Sequence, residues 1–220
     1  MSNFWFLKGI KKGVKTEKFP YEQEKSPPLW PSKISGSGKA ECPTNAIENG
    51  KWNSEKCIFC RRCVPNYQPD GDQNLFDVSK GEKTFKRSFY VFPIDTGSCS
   101  GCNMEFFNIF SPQYDSSRLG IFMTNTPRHA DALLVMGIMT DGMREALELA
   151  YEAMPEPKLV IGLGACALSG GILGTPPLPK DQYNIRISGC PPSPYTVLKA
   201  LLKAKEGDDG LNEYSRSGTN

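Results

Sequence analysis

Short apolar runs alternate with polar stretches from residue 89 onward, and this alternation organises the second half of the chain. Runs of four to six residues, a usual length for a buried strand, lie at 89–94, 119–123, 132–136, 158–163 and 185–188. Helices are expected from about 102 to 110, from about 143 to 153 with Asp141 as the cap, and from 195 to 203. Strands that alternate with helices predict an α/β domain with a largely parallel sheet over 89–205.

The first 88 residues lack this alternation and divide by composition. An arm, 1–30, begins with aromatic and lysine residues, which fits a short amphipathic helix on a membrane surface or partner, or a locally packed end. Turn-forming residues surround four cysteines in 31–67, and the polar stretch 68–88 is expected to be a linker. The tail, 206–220, is rich in Gly, Asp, Ser and Asn and is expected to be disordered.

Composition narrows the function classes. The 220 residues include 26 basic and 24 acidic ones, and this balance gives no argument for nucleic-acid binding. No run of 18 apolar residues and no secretory signal are found, so neither a transmembrane helix nor export is expected. Without export the cysteines are expected to stay reduced, which favours metal binding over disulfide bonds.

The eight cysteines form two groups of four, and each group has the size that one iron–sulfur cluster requires. A 4Fe–4S cluster takes four thiolates, and two clusters in one chain indicate electron transfer. A four-cysteine zinc site, which also uses C-x-x-C pairs, is the alternative for both groups. The first group is Cys42, Cys57, Cys60 and Cys63, and the second group is Cys99, Cys102, Cys166 and Cys190.

The second group follows the predicted strands. Cys99 and Cys102 come after the run 89–94, Cys166 after 158–163 and Cys190 after 185–188. All four therefore lie at the carboxyl ends of strands, where open α/β sheets place their ligand sites. Glycine and serine neighbours let backbone N–H groups approach a cluster. One close pair with two distant single cysteines is a poorer match to zinc, whose sites usually gather two close pairs.

These motifs carry a family resemblance that covers about 89–205. The stretches 97–105, 127–135, 162–166 and 189–192 resemble the small subunit of nickel–iron hydrogenases. The membrane-bound, energy-converting group resembles the chain most, and its small subunit is similar to the cluster-bearing 20 kDa subunit of respiratory complex I. Complex I has two adjacent cysteines where this chain has Cys99-Ser100-Gly101-Cys102, so the spacing favours the hydrogenase side.

The resemblance implies a flavodoxin-like fold. It implies that the second group holds the cluster proximal to a nickel–iron centre on a separate large subunit, with no nickel ligand from this chain. Glu105 matches a glutamate proposed for proton transfer, although a carboxylate near a helix N-terminus can also simply favour the helix dipole. Arg128 and His129, in the motif Pro-Arg-His-Ala-Asp, are expected at the large-subunit interface near the cluster.

The first group matches half of a two-cluster ferredoxin. Bacterial ferredoxins repeat C-x-x-C-x-x-C-x-x-x-C-P, and the fourth cysteine of each run binds the other run's cluster. Cys42-Pro43 fits the end of one run, and Cys57, Cys60 and Cys63 fit the start of the other. One crossed set is therefore complete, whereas the other has lost every thiol, because its positions hold Ser32, Ser35, Gly38 and Tyr67. This pattern predicts a ferredoxin-like module that kept one cluster.

The stretch 7–28 is similar to the ferredoxin-like subunit of the same complexes, which carries an amphipathic helix on the membrane surface. The sequence therefore predicts an electron-transfer subunit of a membrane-bound nickel–iron hydrogenase with two 4Fe–4S clusters, peripheral on the cytoplasmic side of the cell membrane. Its partners would be the nickel–iron large subunit, membrane-arm subunits and ferredoxin or a ferredoxin-like subunit. A complex I-like or sulfur-reducing oxidoreductase and a zinc-stabilised scaffold are the alternatives.

Overall fold

The computed structural model describes residues 5–13 and 31–206, so the predictions for the rest of the arm and for 207–220 lie outside the described residues. The described strands are β1 (Ile34–Gly36), β2 (Ile47–Glu48), β3 (Lys51–Trp52), β4 (Tyr67–Pro69), β5 (Phe76–Val78), β6 (Phe89–Asp95), β7 (Ile121–Met123), β8 (Ala132–Met136), β9 (Leu159–Leu163) and β10 (Ile185–Ile187). The described α-helices are α1 (Trp5–Lys12), α2 (Gly101–Asn108), α3 (Arg144–Ala153), α4 (Gly164–Ser169) and α5 (Pro194–Glu206).

A six-stranded sheet forms the centre of the larger unit, in the order β5-β10-β9-β8-β6-β7. All neighbouring strands are parallel except β5, which pairs antiparallel with β10 at one edge. Every residue of β8 and β9 is buried, as expected for central parallel strands that are covered on both faces. The predicted α/β fold with a mostly parallel sheet is confirmed.

Helices cover both faces of this sheet. Successive side chains of a strand point to opposite faces, so Leu134 of β8 packs on one face with Phe106 of α2 and the apolar side of α5. Leu133 of β8 packs on the other face with Leu147 of α3 and residues of α4. Burying one such leucine contributes about 1.5–3 kcal/mol, and this two-sided core therefore holds the strand ends in register.

The stretch 68–88, expected to be a linker, instead joins the core. Its residues Phe76–Val78 form β5, and Phe85 is buried and stacks on Phe89 with ring centroids 5.5 Å apart. A three-residue strand is too short to show a periodic pattern among polar neighbours, and only pairing with β10 makes it a strand.

Two local predictions also differ from the structure. The residues Asp141–Met143 form a 3-10 turn before α3, so Asp141 lies in that turn and Met143 occupies the cap position. Helix α4, which carries Cys166, was not predicted, because six mostly small residues directly after a strand give no helical periodicity.

A smaller unit precedes the sheet. It contains the antiparallel pair β1–β4 and the hairpin β2–β3, packed around Ile34, Ala46, Cys57 and Tyr67. Helix α1 leaves Leu7 and Ile10 exposed, consistent with the predicted amphipathic helix. Within 5–13 and 31–206, no helix combines the length and apolar character needed to cross a membrane.

Candidate iron–sulfur centres

Asp95 at the end of β6 shapes the loop that carries Cys99 and Cys102. Its carboxylate accepts hydrogen bonds from the backbone N–H groups of Gly97 and Ser98, at 2.9 and 2.8 Å. It also accepts from the Ser98 hydroxyl at 2.7 Å and from the Asn103 amide at 2.8 Å. Burial alone would raise the pKa of Asp95, but these donors together lower it. The loop is therefore built around an ionised carboxylate.

Close backbone approach brings the neighbouring loops to the same place. Gly164, directly after β9, has a φ of +87°, and a Cβ atom added there would lie 2.5 Å from Cys102 Sγ. A side chain at this position would displace that sulfur. The Ala165 N–H donates to the carbonyl of Gly189 at 2.9 Å, which ties the loop after β9 to the loop after β10. The loops that carry the second cysteine group therefore meet at one sheet edge.

The thiols of the second group act on one another electrostatically. The pKa of Cys102 is raised to about 12, mainly by burial and then by the charges of Cys190, Cys166 and Cys99 in that order. The pKa of Cys190 is raised to about 11, mainly by burial and then by the charges of Cys166 and Cys99. The raised pKa values of Cys102, Cys166 and Cys190 fit a site whose bound cations would balance the charge of converging thiolates, as the irons of a 4Fe–4S cluster do.

The first cysteine group lines a single cavity, so the structure brings Cys42, Cys57, Cys60 and Cys63 together. Phe59 and Arg61, between these cysteines, have φ values of 53° and 65°. Left-handed positions are costly for bulky side chains, and they turn successive backbone N–H groups toward one centre. Cys57 is buried, whereas Cys60 is exposed at the surface.

N–H groups already point at the sulfur atoms of this group. Ala46 donates to Cys42 Sγ at 3.1 Å, and Phe59 donates to Cys57 Sγ at 3.4 Å. Burial raises the pKa of Cys57, and the indole of Trp52 opposes this effect, so the indole faces the thiol. The buried Trp52 Nε1 otherwise has no hydrogen-bond partner in the described chain. N–H donors aimed at sulfur fit a cluster site, because they stabilise the negative charge of bound thiolates.

Three of the four positions of the missing crossed set, Ser35, Gly38 and Tyr67, lie close together. Tyr67 is 1% exposed, packs in the core of the smaller unit and donates its hydroxyl hydrogen to the carbonyl of Gly38 at 3.2 Å. Ser35 pairs with Gln68 in the β1–β4 ladder, and Ser32 is buried just before β1. An aromatic ring therefore fills this region, and the ferredoxin-like origin of the module stays a prediction.

The two groups are neighbours. The charge of Cys57 contributes to the raised pKa of Cys190, although burial and the nearer thiols have larger effects. In the described ranges, no three or more His, Cys, Asp and Glu side chains gather closely enough for a single metal ion.

Glu105 lies near the second group, but Arg128 and His129 do not. Glu105, on α2, shares a cavity of about 390 Å³ with Cys190, and burial raises its pKa against a weaker opposing hydrogen bond from Asn108. Arg128 and His129 lie before β8, at the amino end of the sheet, whereas the cysteines follow carboxyl ends. Their expected place beside the cluster is therefore wrong, because a parallel strand separates its two ends by its full length. Contact with a partner subunit stays a prediction for them.

Two site residues, Asp95 and Glu55, were not singled out from the sequence. Asp95 had a signal, because aspartate before Thr-Gly-Ser is typical of a turn in which the side chain caps backbone N–H groups. Glu55 had none, since its role depends on a residue that is distant in sequence: Glu55 bonds Arg186, 131 positions away. Gly164 was predicted as a small neighbour of Cys166, but its contact with Cys102 was not.

Comparison with known proteins agrees with these features. The family described as NADH ubiquinone oxidoreductase, 20 Kd subunit, matches residues 99–204. The probable membrane-bound hydrogenase subunit mbhJ of Pyrococcus furiosus is 38% identical over 130 residues, which are 56% of this chain and 78% of the relative. A subunit of the NADH-quinone oxidoreductase of Geotalea uraniireducens is 34% identical over 147 residues, 63% of this chain and 84% of the relative.

Formate hydrogenlyase subunit 7 of Escherichia coli is 43% identical over 131 residues, which are 56% of this chain and 50% of the relative, so the match spans half of that protein. These matches confirm the resemblance that the cysteine motifs predicted. The chain belongs to the family of the 20 Kd subunit of NADH ubiquinone oxidoreductase and is an oxidoreductase subunit.

Proposed function

We propose that this chain is the electron-transfer subunit of a membrane-bound nickel–iron hydrogenase, and that it relays electrons through two 4Fe–4S clusters to or from a nickel–iron site on a partner large subunit. The observation that carries the proposal is the arrangement of two complete four-cysteine sets side by side in one chain. The relatives named as hydrogenase and formate hydrogenlyase subunits support it.

The protein would supply the binding, orientation and electrostatics of this relay. When bound, each cluster accepts and gives up one electron at a time. N–H groups of Ala46, Phe59 and Trp52 point at the first cysteine group. These donors would stabilise the reduced, more negative state of a cluster bound there. Gly164 leaves room for the Cys102 sulfur in the second group. The buried core beneath both groups limits the entry of water.

An exposed apolar surface beside the second group suits the large subunit. Met104 and Phe107 on α2 are 66% and 46% exposed, and Ile172 and Leu173 after α4 are 64% and 52% exposed. Exposed apolar patches next to a functional site are typical of protein interfaces. The side that carries the exposed Cys60 would face the electron carrier, a ferredoxin or ferredoxin-like subunit. Helix α1 and the membrane-arm subunits would hold the chain on the cytoplasmic surface of the membrane.

Glu105 is the candidate for proton transfer. Its raised pKa keeps the carboxyl group protonated over a wider pH range than usual, which suits a group that takes up and releases protons. It lies in the same cavity as Cys190, on the side where a large subunit would dock.

A complex I-like or sulfur-reducing membrane oxidoreductase without hydrogen chemistry is the second candidate. The relative from the NADH-quinone oxidoreductase of Geotalea uraniireducens favours it. The spaced pair Cys99 and Cys102 favours the hydrogenase. The co-purifying large subunit distinguishes the two, because a hydrogenase partner needs two cysteine pairs for nickel.

Metal analysis of the anaerobically purified chain tests the cluster content. We expect a brown protein with about eight iron atoms and as much acid-labile sulfide, the count for two 4Fe–4S clusters. A colourless protein with two zinc ions and no sulfide would instead establish the zinc-stabilised scaffold.

A further inference from the structure

We propose that Glu55 is a positioning residue that holds the first cysteine group at a fixed distance from the second. The inference rests on the proposed function, since it concerns electron transfer between the two groups. Glu55 lies two residues before Cys57, in the smaller unit, and its side chain reaches across to the larger unit.

The carboxylate of Glu55 is held by two cations from the larger unit. Its Oε1 accepts a hydrogen bond from Arg186 Nε at 2.9 Å, and its Oε2 lies 2.6 Å from Lys180 Nζ. The Glu55 and Arg186 side chains are only 15% and 17% exposed. Arg186 also pairs with Asp77 of β5, so the two carboxylates, Glu55 and Asp77, balance the charges of the two cations. A shielded, charge-assisted contact of this kind fixes geometry more firmly than a surface ion pair.

Two serine bonds hold the backbone of the same segment. The Ser169 hydroxyl shares its hydrogen between the carbonyl of Glu55 at 3.1 Å and the carbonyl of Ala165 at 2.9 Å. Ser169 lies on α4, three residues after Cys166. The Ser188 hydroxyl donates to the Ser54 hydroxyl at 3.1 Å, and Ser188 lies two residues before Cys190. Each contact thus joins a residue close before Cys57 to a residue close to a cysteine of the second group.

Arg186 gives this contact a rigid base. It lies in the middle of β10, which is paired on both sides, with β9 and with β5. The chain continues from Arg186 through Ile187, Ser188 and Gly189 to Cys190. Any movement of Glu55 relative to β10 would therefore change the separation of Cys57 and Cys190. Electron transfer falls steeply with distance, so a contact that fixes this separation fixes the transfer rate.

The test uses the full-length, anaerobically purified protein and the Glu55→Gln variant, which keeps the shape of the side chain and removes its charge. The control is Glu48→Gln in the same unit. Glu48 is 59% exposed, and its ion pair with Lys56 is long, at 3.7 Å. Electron paramagnetic resonance of the fully reduced protein reports the magnetic interaction between two clusters, which depends on their separation. A loss of net charge alone would shift potentials without removing this interaction.

We expect Glu55→Gln to keep its iron but to lose or broaden the interaction signal and to slow electron transfer between the clusters, whereas Glu48→Gln stays like wild type. If Glu55→Gln does not retain its iron, Lys180→Gln, which removes one of the two cations that hold the Glu55 carboxylate, decides by the same measurement. An unchanged interaction signal in the deciding variant would overturn the positioning role. A wild-type protein without iron and sulfide would instead overturn the proposed function.

Discussion

At the scale of single residues, the second cysteine group depends on the absence of a side chain at position 164. Gly164 has a positive φ, and the Cys102 sulfur occupies the space that a Cβ atom would fill. Glycine therefore serves here for two reasons, backbone conformation and close approach of a ligand sulfur. Either reason alone would make alanine unfavourable.

Gly164→Ala is expected to abolish binding of the second cluster while the first is kept. The added methyl group would lie 2.5 Å from Cys102 Sγ and must displace it. Iron content should fall from about eight to about four atoms, the content of one remaining 4Fe–4S cluster. Gly142→Ala is the control, because nothing lies within 4 Å of a Cβ atom at that position. Full iron content in Gly164→Ala would contradict this prediction and show that the loop can shift to make room for the methyl group.

At the scale of elements, the buried central strands carry the loops that end in cysteine. Strands β8 and β9 are buried at every residue, and β8 lies between β6 and β9. The loop after β8 also supports the cysteine loop after β6, since Ile138 donates its N–H to the carbonyl of Gly97 at 3.1 Å. Packing of β8 therefore affects both stability and the placement of the second group.

Leu134→Ala in β8 is expected to lower the free energy of unfolding by about 2–5 kcal/mol, because the side chain is fully buried and its removal leaves a cavity. Leu149→Ala on α3 is the matched control, since Leu149 is 58% exposed and its change should stay within about 0.5 kcal/mol. Denaturant unfolding of the two variants gives both values. Equal effects would contradict the assignment of β8 to the core.

At the scale of the whole molecule, two units of different construction meet. The smaller unit has short strands and a core that includes Cys57 and Tyr67, whereas the larger unit has a sheet covered by helices. Glu55 and Ser54 of the smaller unit bind Arg186 and Ser188 of the larger unit. Each cysteine group has members at the surface, Cys60 in the first group and Cys99 and Cys190 in the second.

Met104→Glu is expected to weaken binding of the large subunit about tenfold or more, which corresponds to roughly 1.4 kcal/mol. The reason is that a charge would replace a 66% exposed apolar side chain at the proposed interface. Co-purification from the native complex measures the effect. Leu149→Glu, on α3 and thus on the other face of the sheet, should leave the complex intact. Equal recovery of the large subunit with both variants would place the interface elsewhere.

Local chemistry explains which predictions succeeded. The strand 132–136 was predicted at its observed bounds, because an apolar run of that length between turn residues is nearly sufficient for a buried strand. The ends of these strands place Cys99, Cys166 and Cys190, since parallel strands share one carboxyl edge. Strand β5 was not predicted, because only pairing with its neighbour β10 makes this segment a strand.

The sequence by itself determined the two cysteine groups, the α/β architecture and the family, because these depend on spacing and on apolar runs that are read along the chain. Only the tertiary structure decided which residues surround the thiols and how the two groups are joined. Gly164 meets Cys102, and Glu55 meets Arg186, across separations in sequence that no local pattern records. The structure also shows that Arg128 lies at the opposite end of the sheet from the second cysteine group, because the direction of a strand decides at which end a flanking motif lies.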